Sequence, residues 1–250
     1  MIKVVILAAG KGKRMGAEVP KVLVPIEGRP MIKYLLDAVF ESKILIKSGK
    51  NIKPILVVSP DNIEIIKENL PEYDLDYVIQ DKQLGTGHAV SCAKEKVSEA
   101  DTIIVLYGDH PFLEAETICR MAKEHTGVIS VLPVKLENFA DWHNNFYHWG
   151  RFVRVNNEIE KIVEFKDASE EEKNILEVNP GFFCFNRKWL FENISNLKNE
   201  NNQQEYYLTD MVKAAFNQKE RINSIFISAH EAIGVNNVEE LEVAKKVFNN

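Results

Sequence analysis

Hydrophobic and polar positions along the chain follow two alternating rhythms. Residues 3–8 (KVVILA) are a β-branched apolar run without polar interruption, the pattern of a strand buried on both faces. Comparable runs recur at 54–58 (PILVV), 75–79 (LDYVI), 102–107 (TIIVLY) and 128–134. Between the strands, at 30–40, 61–69, 86–99 and 114–125, apolar residues return with a helical period. In 30–40, Met31, Ile32, Leu35, Leu36, Val39 and Phe40 share one broad face, and Pro30 stands near the start, where a missing N–H costs nothing. The βαβα order predicts an α/β fold, a Rossmann-like and mostly parallel sheet with helices on both faces.

The rhythm changes after about residue 135. Residues 151–155 and 159–164 flank Asn156-Asn157, a pair suited to positive φ, and predict a β-hairpin. A strand at 181–185, helices at 187–194 and 208–217, short strands at 224–228 and 232–235, and a last helix at 238–248 complete the expectation. The polar stretch 196–205 (NLKNENNQQE) reads as an exposed loop. With no internal repeat or clear linker, residues 1–250 read as a single domain with β-rich insertions in its second half.

Composition narrows the classes. The chain has 250 residues, with 31 Lys+Arg against 37 Asp+Glu and a net charge of −6. That balance gives no broad electrostatic case for nucleic acid. The longest strong apolar run, Val4 to Ala9, is far short of the ~20 residues of a membrane span. Cys92, Cys119 and Cys184 are far apart and outside any CxxC pattern, which suits a reduced cytoplasm rather than a disulfide framework or zinc site.

In open parallel sheets ligands bind beyond the carboxyl ends of the strands, so the turns after residues 9, 79, 107 and 164 are the places for chemistry. The first is Ala8-Ala9-Gly10-Lys11-Gly12-Lys13-Arg14-Met15-Gly16. Its glycines let backbone N–H groups turn toward an anion, and Lys11, Lys13, Arg14 and Lys21 add fixed positive charge. It is neither a Walker A loop, since Ala17 follows Gly16, nor the dinucleotide fingerprint, since Met15 stands where the third glycine is needed. Fixed cations suit a triphosphate. After 107 comes Gly108-Asp109-His110-Pro111, in which Asp109 is a candidate Mg²⁺ ligand or a loop aspartate capping the next helix. In 80–90 (QDKQLGTGHAV), the Gln80 amide offers the donor and acceptor of a pyrimidine edge. Thr86 either caps a helix or touches a base or ribose.

Taken in order, LAAGKGKRMG with PKVLVPIEGRPM, QDKQLGTGHAV, LYGDHPFL, WGRFVR, IVEFKDAS, EVNPGF, EYYLTD and GVNN resemble the nucleotide-sugar pyrophosphorylases. The chain is most similar to the uridyltransferase half of the bacterial bifunctional N-acetylglucosamine-1-phosphate uridyltransferases, from residue 2 to about 240. The resemblance implies a GT-A-like nucleotidyltransferase fold with a β-rich sugar-binding insertion. It implies Mg²⁺-dependent uridylyl transfer from UTP to a sugar-1-phosphate in the cytoplasm, with no nucleic-acid or membrane partner. Position by position, Leu7, Ala8, Ala9 and Gly10 would wrap the nucleotide. Arg14 and Lys21 would hold the triphosphate, and Lys166 would contact phosphate. Gln80, Gly85 and Thr86 would contact uridine, with Tyr107 and Gly108 lining the pocket. Asp109 and Asn236 would hold the metal. Gly150, Glu164 and Asn179 would contact the sugar, and Thr209 would line its side. From their residue types alone, Glu164 and Lys166 read as an exposed ion pair, and Asn236-Asn237 as a plain turn.

Three departures stand out. Lys13 occupies a position where the family often has a small hydroxyl residue, and Pro180 follows Asn179 where threonine is usual. Residues 138–149 (NFADWHNNFYHW) are longer than the family counterpart and rich in aromatics. They read as an insertion packed on the body, a wall of the sugar pocket, or a contact between copies in a homo-oligomer. Another sugar phosphate or dTTP, a glycosyltransferase, and a non-catalytic sensor are the competing functions. The hexapeptide repeats of the acetyltransferase half are missing from these residues, so acetyl transfer is not expected of this chain.

Overall fold

The computed structural model describes residues 1–10, 12, 19–47 and 50–248. Among them, seven strands form a central sheet in the order Ile222–Ser224, Ile129–Val131, Phe183–Asn186, Thr102–Tyr107, Ile2–Leu7, Ile55–Val58 and Asp76–Ile79. Neighbours run parallel except at Phe183–Asn186, which is antiparallel to both of its partners. The inner strands Ile2–Leu7, Ile55–Val58 and Thr102–Tyr107 are almost wholly apolar because both faces are covered. Val4, Ile6, Ile104 and Leu106 pack with Met31, Leu35 and Val39 of helix Met31–Glu41 and with Ile118 and Met121 of helix Ala115–Glu124. On the other face, Val5, Leu7, Ile103 and Val105 meet Val90 of helix Thr86–Cys92, Leu190 of Arg187–Asn193, and Met211 and Val212 of Asp210–Asn217. Consecutive residues of one strand therefore enter opposite cores, as the period of two requires.

The carboxyl ends of these strands align. Leu7 is in register with Val57 and Tyr107, and the Gly108 N–H donates to the Leu7 carbonyl at 3.0 Å. The Gln80 N–H donates to the Val58 carbonyl at 2.8 Å. The turns after the first, third and fourth sequence-predicted strands thus open onto one edge.

The β-rich insertion is a four-stranded antiparallel sheet in the order Val134–Lys135, Glu177–Asn179, Gly150–Val155 and Glu158–Val163. Its hairpin turns on Asn156 and Asn157 at φ 51° and 69°, as their residue types predict. The run 128–134 divides between the two sheets, with Ile129–Val131 in one and Val134–Lys135 in the other. Pro133 lies at the break and has no N–H for a ladder.

Some elements differ from expectation. The helix expected over 86–99 ends at Cys92, and a 3-10 turn follows at Glu95–Val97. The strand expected at 224–228 is Ile222–Ser224, and residues 232–235 form no strand. Ile225, Ile227, Ala232, Ile233 and Val235 are nevertheless buried, so their apolar character reports burial under the core rather than sheet pairing. The short helix Glu170–Lys173 was unexpected, although Ser169 and Glu172 form a complete capping box at its start. No helix among the described residues is long and apolar enough to cross a membrane.

Candidate active site

A cleft of about 1160 Å³ opens where the strand ends meet the insertion. Leu7, Ala8, Ala9, Gly10, Gln80, Gly85, Thr86 and Tyr107 line one end, with Lys21, Asp109 and Asn236. Glu164, Phe165 and Lys166, at the exit of the insertion hairpin, line the other with His148, Gln203, Glu205 and Tyr207. The structure therefore brings together residues from most of the chain. Arg14, with Lys11 and Lys13, lies outside the described residues.

Lys21 opens a 3-10 turn, Lys21–Leu23, whose Val22 and Leu23 are buried and fix its direction. Gly12, at φ 59°, passes so close that a Cβ there would lie 2.8 Å from the Lys21 Cβ. The Lys21 ammonium donates to Asp109 Oδ2 and, at 2.7 Å, to Asn236 Oδ1. His110 Nδ1 lies 3.0 Å from Asp109 Oδ1. Burial acts to raise the Asp109 pKa, but Lys21 and His110 outweigh it and hold the carboxyl well below its ordinary range. Asp109 does not cap the next helix, which begins behind Glu114. Asn236 is not a plain turn residue either. Its neighbour Asn237 accepts from the Glu240 N–H at 2.8 Å at the start of helix Val238–Phe248, while Asn236 turns to Lys21.

Two hard oxygens from distant segments therefore share one positive group. Among the described residues there is no cluster of three His, Cys, Asp or Glu side chains that could cage a metal. This donor set fits Mg²⁺, which is commonly held by one or two protein oxygens with substrate phosphates completing the shell.

The Gln80 amide donates to the Gly85 carbonyl at 3.0 Å, and its Nε2 is 3.1 Å from His88 Nδ1. Gly85, not Thr86, is the helix N-cap. At φ 107°, a Cβ there would fall 2.7 Å from the Tyr206 carbonyl oxygen. The Thr86 hydroxyl accepts from the Leu208 N–H at 3.0 Å, which ties this turn to the 197–209 segment. The polar stretch 196–205 is largely the exposed loop its polarity predicts, and it also lends Gln203 and Glu205 to the cleft wall.

At the other end, Thr209 Oγ1 donates to Glu164 Oε1 at 2.9 Å, and Lys166 Nζ donates to Gln203 Oε1 at 2.7 Å. The exposed Glu164–Lys166 ion pair is not among the pairs formed by the described residues. Burial pushes the Glu164 carboxyl up, partly opposed by the Thr209 hydrogen bond. Gly150, Asn179, Thr209 and Gly108 are not among the lining residues. Gly150 and Asn179 are register partners behind Glu164, and a Cβ on Gly150 would lie 3.6 Å from Glu164 Oε2. The Asn179 carboxamide accepts from the Gly181 N–H at 3.0 Å, across Pro180. Gly108 lies beneath the cleft, where a Cβ would meet Val22 Cγ1 at 3.0 Å.

The aromatic segment packs mainly on the body. Asp141–Phe146 is a 3-10 helix, Phe146 is fully buried, and Phe139, Trp142 and Trp149 pack against the core. It also sends His148 to the cleft, its ring 4.7 Å from Phe165. The reading of a segment packed on the body thus holds for the rings, and His148 adds to the cleft lining. His148, Gln83, Glu205 and Tyr207 escaped the sequence reading. Gln83, which donates to the Ala9 carbonyl, was inside a quoted motif, whereas His148 carried no spacing signal.

Gly181 supports the floor of the cleft. Its φ is 91°, and a Cβ there would lie 2.6 Å from the Tyr107 ring. Gly181→Ala should destabilise the fold by about 1–3 kcal/mol through strain and overpacking. Urea unfolding followed by Tyr and Trp fluorescence checks this.

The fold is that of the nucleotidyltransferase class. Residues 4–209 match the model of the MobA-like NTP transferase domain, and the chain belongs to that family. It is 42% identical over 239 residues to the bifunctional protein GlmU of Fervidobacterium nodosum, covering 94% of this chain and 48% of that protein. It is 39% identical to the protein of the same name from Thermosipho africanus, covering 98% of this chain and 50% of that one. The chain thus spans about half the length of the curated relatives it matches. A crystal structure of a putative glucose-1-phosphate thymidylyltransferase from Bacillus anthracis, in complex with sucrose, shares the fold. Its TM-score is 0.75 at 18% identity, over 99% of this chain and 95% of that one.

Proposed function

We propose that this chain transfers a uridylyl group from UTP to N-acetylglucosamine-1-phosphate, giving UDP-N-acetylglucosamine and pyrophosphate. The observation that carries the reading is the meeting of Lys21, Asp109 and Asn236 at the strand ends, beside a Gly-containing nucleotide turn and opposite a carboxylate-bearing sugar end. Identity above a third to proteins named GlmU supports the choice of substrates.

The sugar-1-phosphate oxygen attacks the α-phosphorus, the α–β phosphoanhydride bond breaks, and pyrophosphate leaves. The nucleophile is already ionised, so no protein base is needed, and catalysis is positioning with charge neutralisation. Mg²⁺, held by Asp109 and Asn236, would supply positive charge to the phosphates. Leu7 to Gly10 approach the nucleotide with backbone, and Gln80, whose Nε2 is engaged by Gly85 and His88, offers its carbonyl oxygen to the base. Arg14 and Lys21 hold the triphosphate and steady the departing pyrophosphate. Glu164, buffered by Thr209, accepts sugar hydroxyls, and Lys166 receives phosphate. Gly150 and Asn179 shape the sugar end from behind Glu164, and the chain works in the cytoplasm.

A pyrophosphate-release panel crossing UTP, dTTP and the other triphosphates with several sugar-1-phosphates tests this. UTP with N-acetylglucosamine-1-phosphate should be the fastest pair. Preferential turnover of dTTP with glucose-1-phosphate would overturn the substrate choice, and UTP binding without turnover on any pair would favour a sensor.

A further inference from the structure

We infer that His110 is a positioning residue that aims Asp109 and registers it against Asn236. This rests on the proposal above that those two side chains hold a divalent cation. His110 is buried, and its Nε2 has no hydrogen-bond partner. Phe182, Trp149 and Tyr107 surround the ring edge-on at centroid distances of 4.8, 5.6 and 6.2 Å. Phenylalanine would satisfy such a cage without leaving a buried nitrogen unpaired, which is a cost that packing alone does not explain. The nitrogen that is used is Nδ1, 3.0 Å from Asp109 Oδ1. The tautomer that fits has its proton on Nδ1, donated to the carboxylate, and a bare lone pair on Nε2.

Two consequences follow for the cation pair. His110 occupies Asp109 Oδ1, so Oδ2 is the oxygen turned toward Lys21 and Asn236. The ring also lies directly against Gly234, where a Cβ would fall 2.7 Å from Nε2, and the next residue, Val235, donates its N–H to the Asp109 carbonyl at 3.0 Å. The loop after the fourth sequence-predicted strand and the loop before the last helix are thereby joined by the imidazole contact together with this backbone bond. Outer partners of this kind orient a ligand by fixing its rotamer, and their loss typically weakens metal binding by about 10–100-fold.

The test compares His110→Asn, His110→Gln and His110→Phe in the full chain, with Asp109→Asn as the reference for a lost ligand. Mn²⁺ is the probe, its binding in the presence of UTP followed by electron paramagnetic resonance against the protein-free Mn²⁺–UTP signal. Asparagine places an amide N–H where Nδ1 stands, glutamine places it near Nε2, and phenylalanine keeps only the ring. His110→Asn should bind Mn²⁺ within a few-fold of wild type, and the Gln and Phe variants should lose about tenfold or more. A packing role orders the variants by volume, with Phe and Gln near wild type and Asn weakest, and that order would overturn the inference. If His110→Phe unfolds, the contrast of Asn with Gln decides alone. Failure is separable from failure of the underlying reading: wild type that binds no Mn²⁺ beyond the Asp109→Asn level removes the cation site itself.

Discussion

Replacing Asp109 with alanine should lower kcat for the proposed uridylyl transfer by about 10²–10³-fold, the usual loss when one preorganised electrostatic group is removed. The carboxylate is buried, receives the Lys21 ammonium on Oδ2 and faces His110 on Oδ1. Without it the Lys21 cation keeps the Asn236 carboxamide but loses its counter-charge in a site poorly exposed to water. Asp109→Asn preserves shape and removes the charge, so it should lose nearly as much turnover. Because the carboxyl is held below its ordinary range in the folded chain, its stabilising contribution is present above the unfolded pKa. That contribution is lost as pH falls through the depressed value, so at neutral pH both variants also forgo it. Steady-state pyrophosphate release across a Mg²⁺ titration measures the effect. Near-full Mg²⁺-dependent turnover in Asp109→Ala would remove Asp109 from the cation site.

Arg151→Ala should cost about 3–5 kcal/mol of stability, because it leaves several backbone carbonyls without their donor and empties a buried volume. Arg151 is fully buried and spends its guanidinium on backbone. Nε donates to the Lys173 carbonyl at 3.3 Å, Nη2 to Tyr147 at 2.6 Å and Lys173 at 3.2 Å, and Nη1 to Phe146 at 3.4 Å and to Trp149. Phe139, Tyr147 and Phe165 lie within 4.7 to 5.9 Å of its carbon centre. Burial brings its pKa down to about 10, which still leaves it charged at neutral pH. The alanine variant strands those carbonyls and empties the centre of the aromatic segment. Lysine lacks the planar fork and should recover little. A melting temperature lowered by roughly 10 °C or more is expected for a chain of this size. Since Phe165 and His148 line the cleft, KM for the sugar phosphate should rise as well. An Arg151→Ala melting curve matching wild type would show that the segment is held by its rings alone.

Much of this architecture was legible in the sequence. The buried strands announced themselves because an apolar run covered on both faces cannot hide its composition, and the hairpin because Asn156-Asn157 tolerates positive φ. Ile233 and Val235 misled because burial and strand formation leave the same apolar signature over four residues. Thr86 left two readings open because a hydroxyl at a helix start can cap or reach elsewhere; here it accepts from the distant Leu208 N–H and lines the cleft. Asp109 and Lys21 were conspicuous by chemistry and place. Asn236 was visible through its motif, since no local pattern marks a carboxamide that must cross the fold to find its partner.

By itself the sequence determined the alternation of strands and helices, the Asn156-Asn157 hairpin and the strand-end carboxylate, because backbone and local side-chain physics act over a few residues. Tertiary structure alone decided that Asn236 meets Asp109 over the Lys21 ammonium, that Gln203 and Glu205 of a polar loop line the cleft, and that Arg151 is buried among backbone carbonyls while His110 meets Asp109. Those contacts join segments that local physics leaves independent, and they exist only where packing of the two cores brings the strand ends into register.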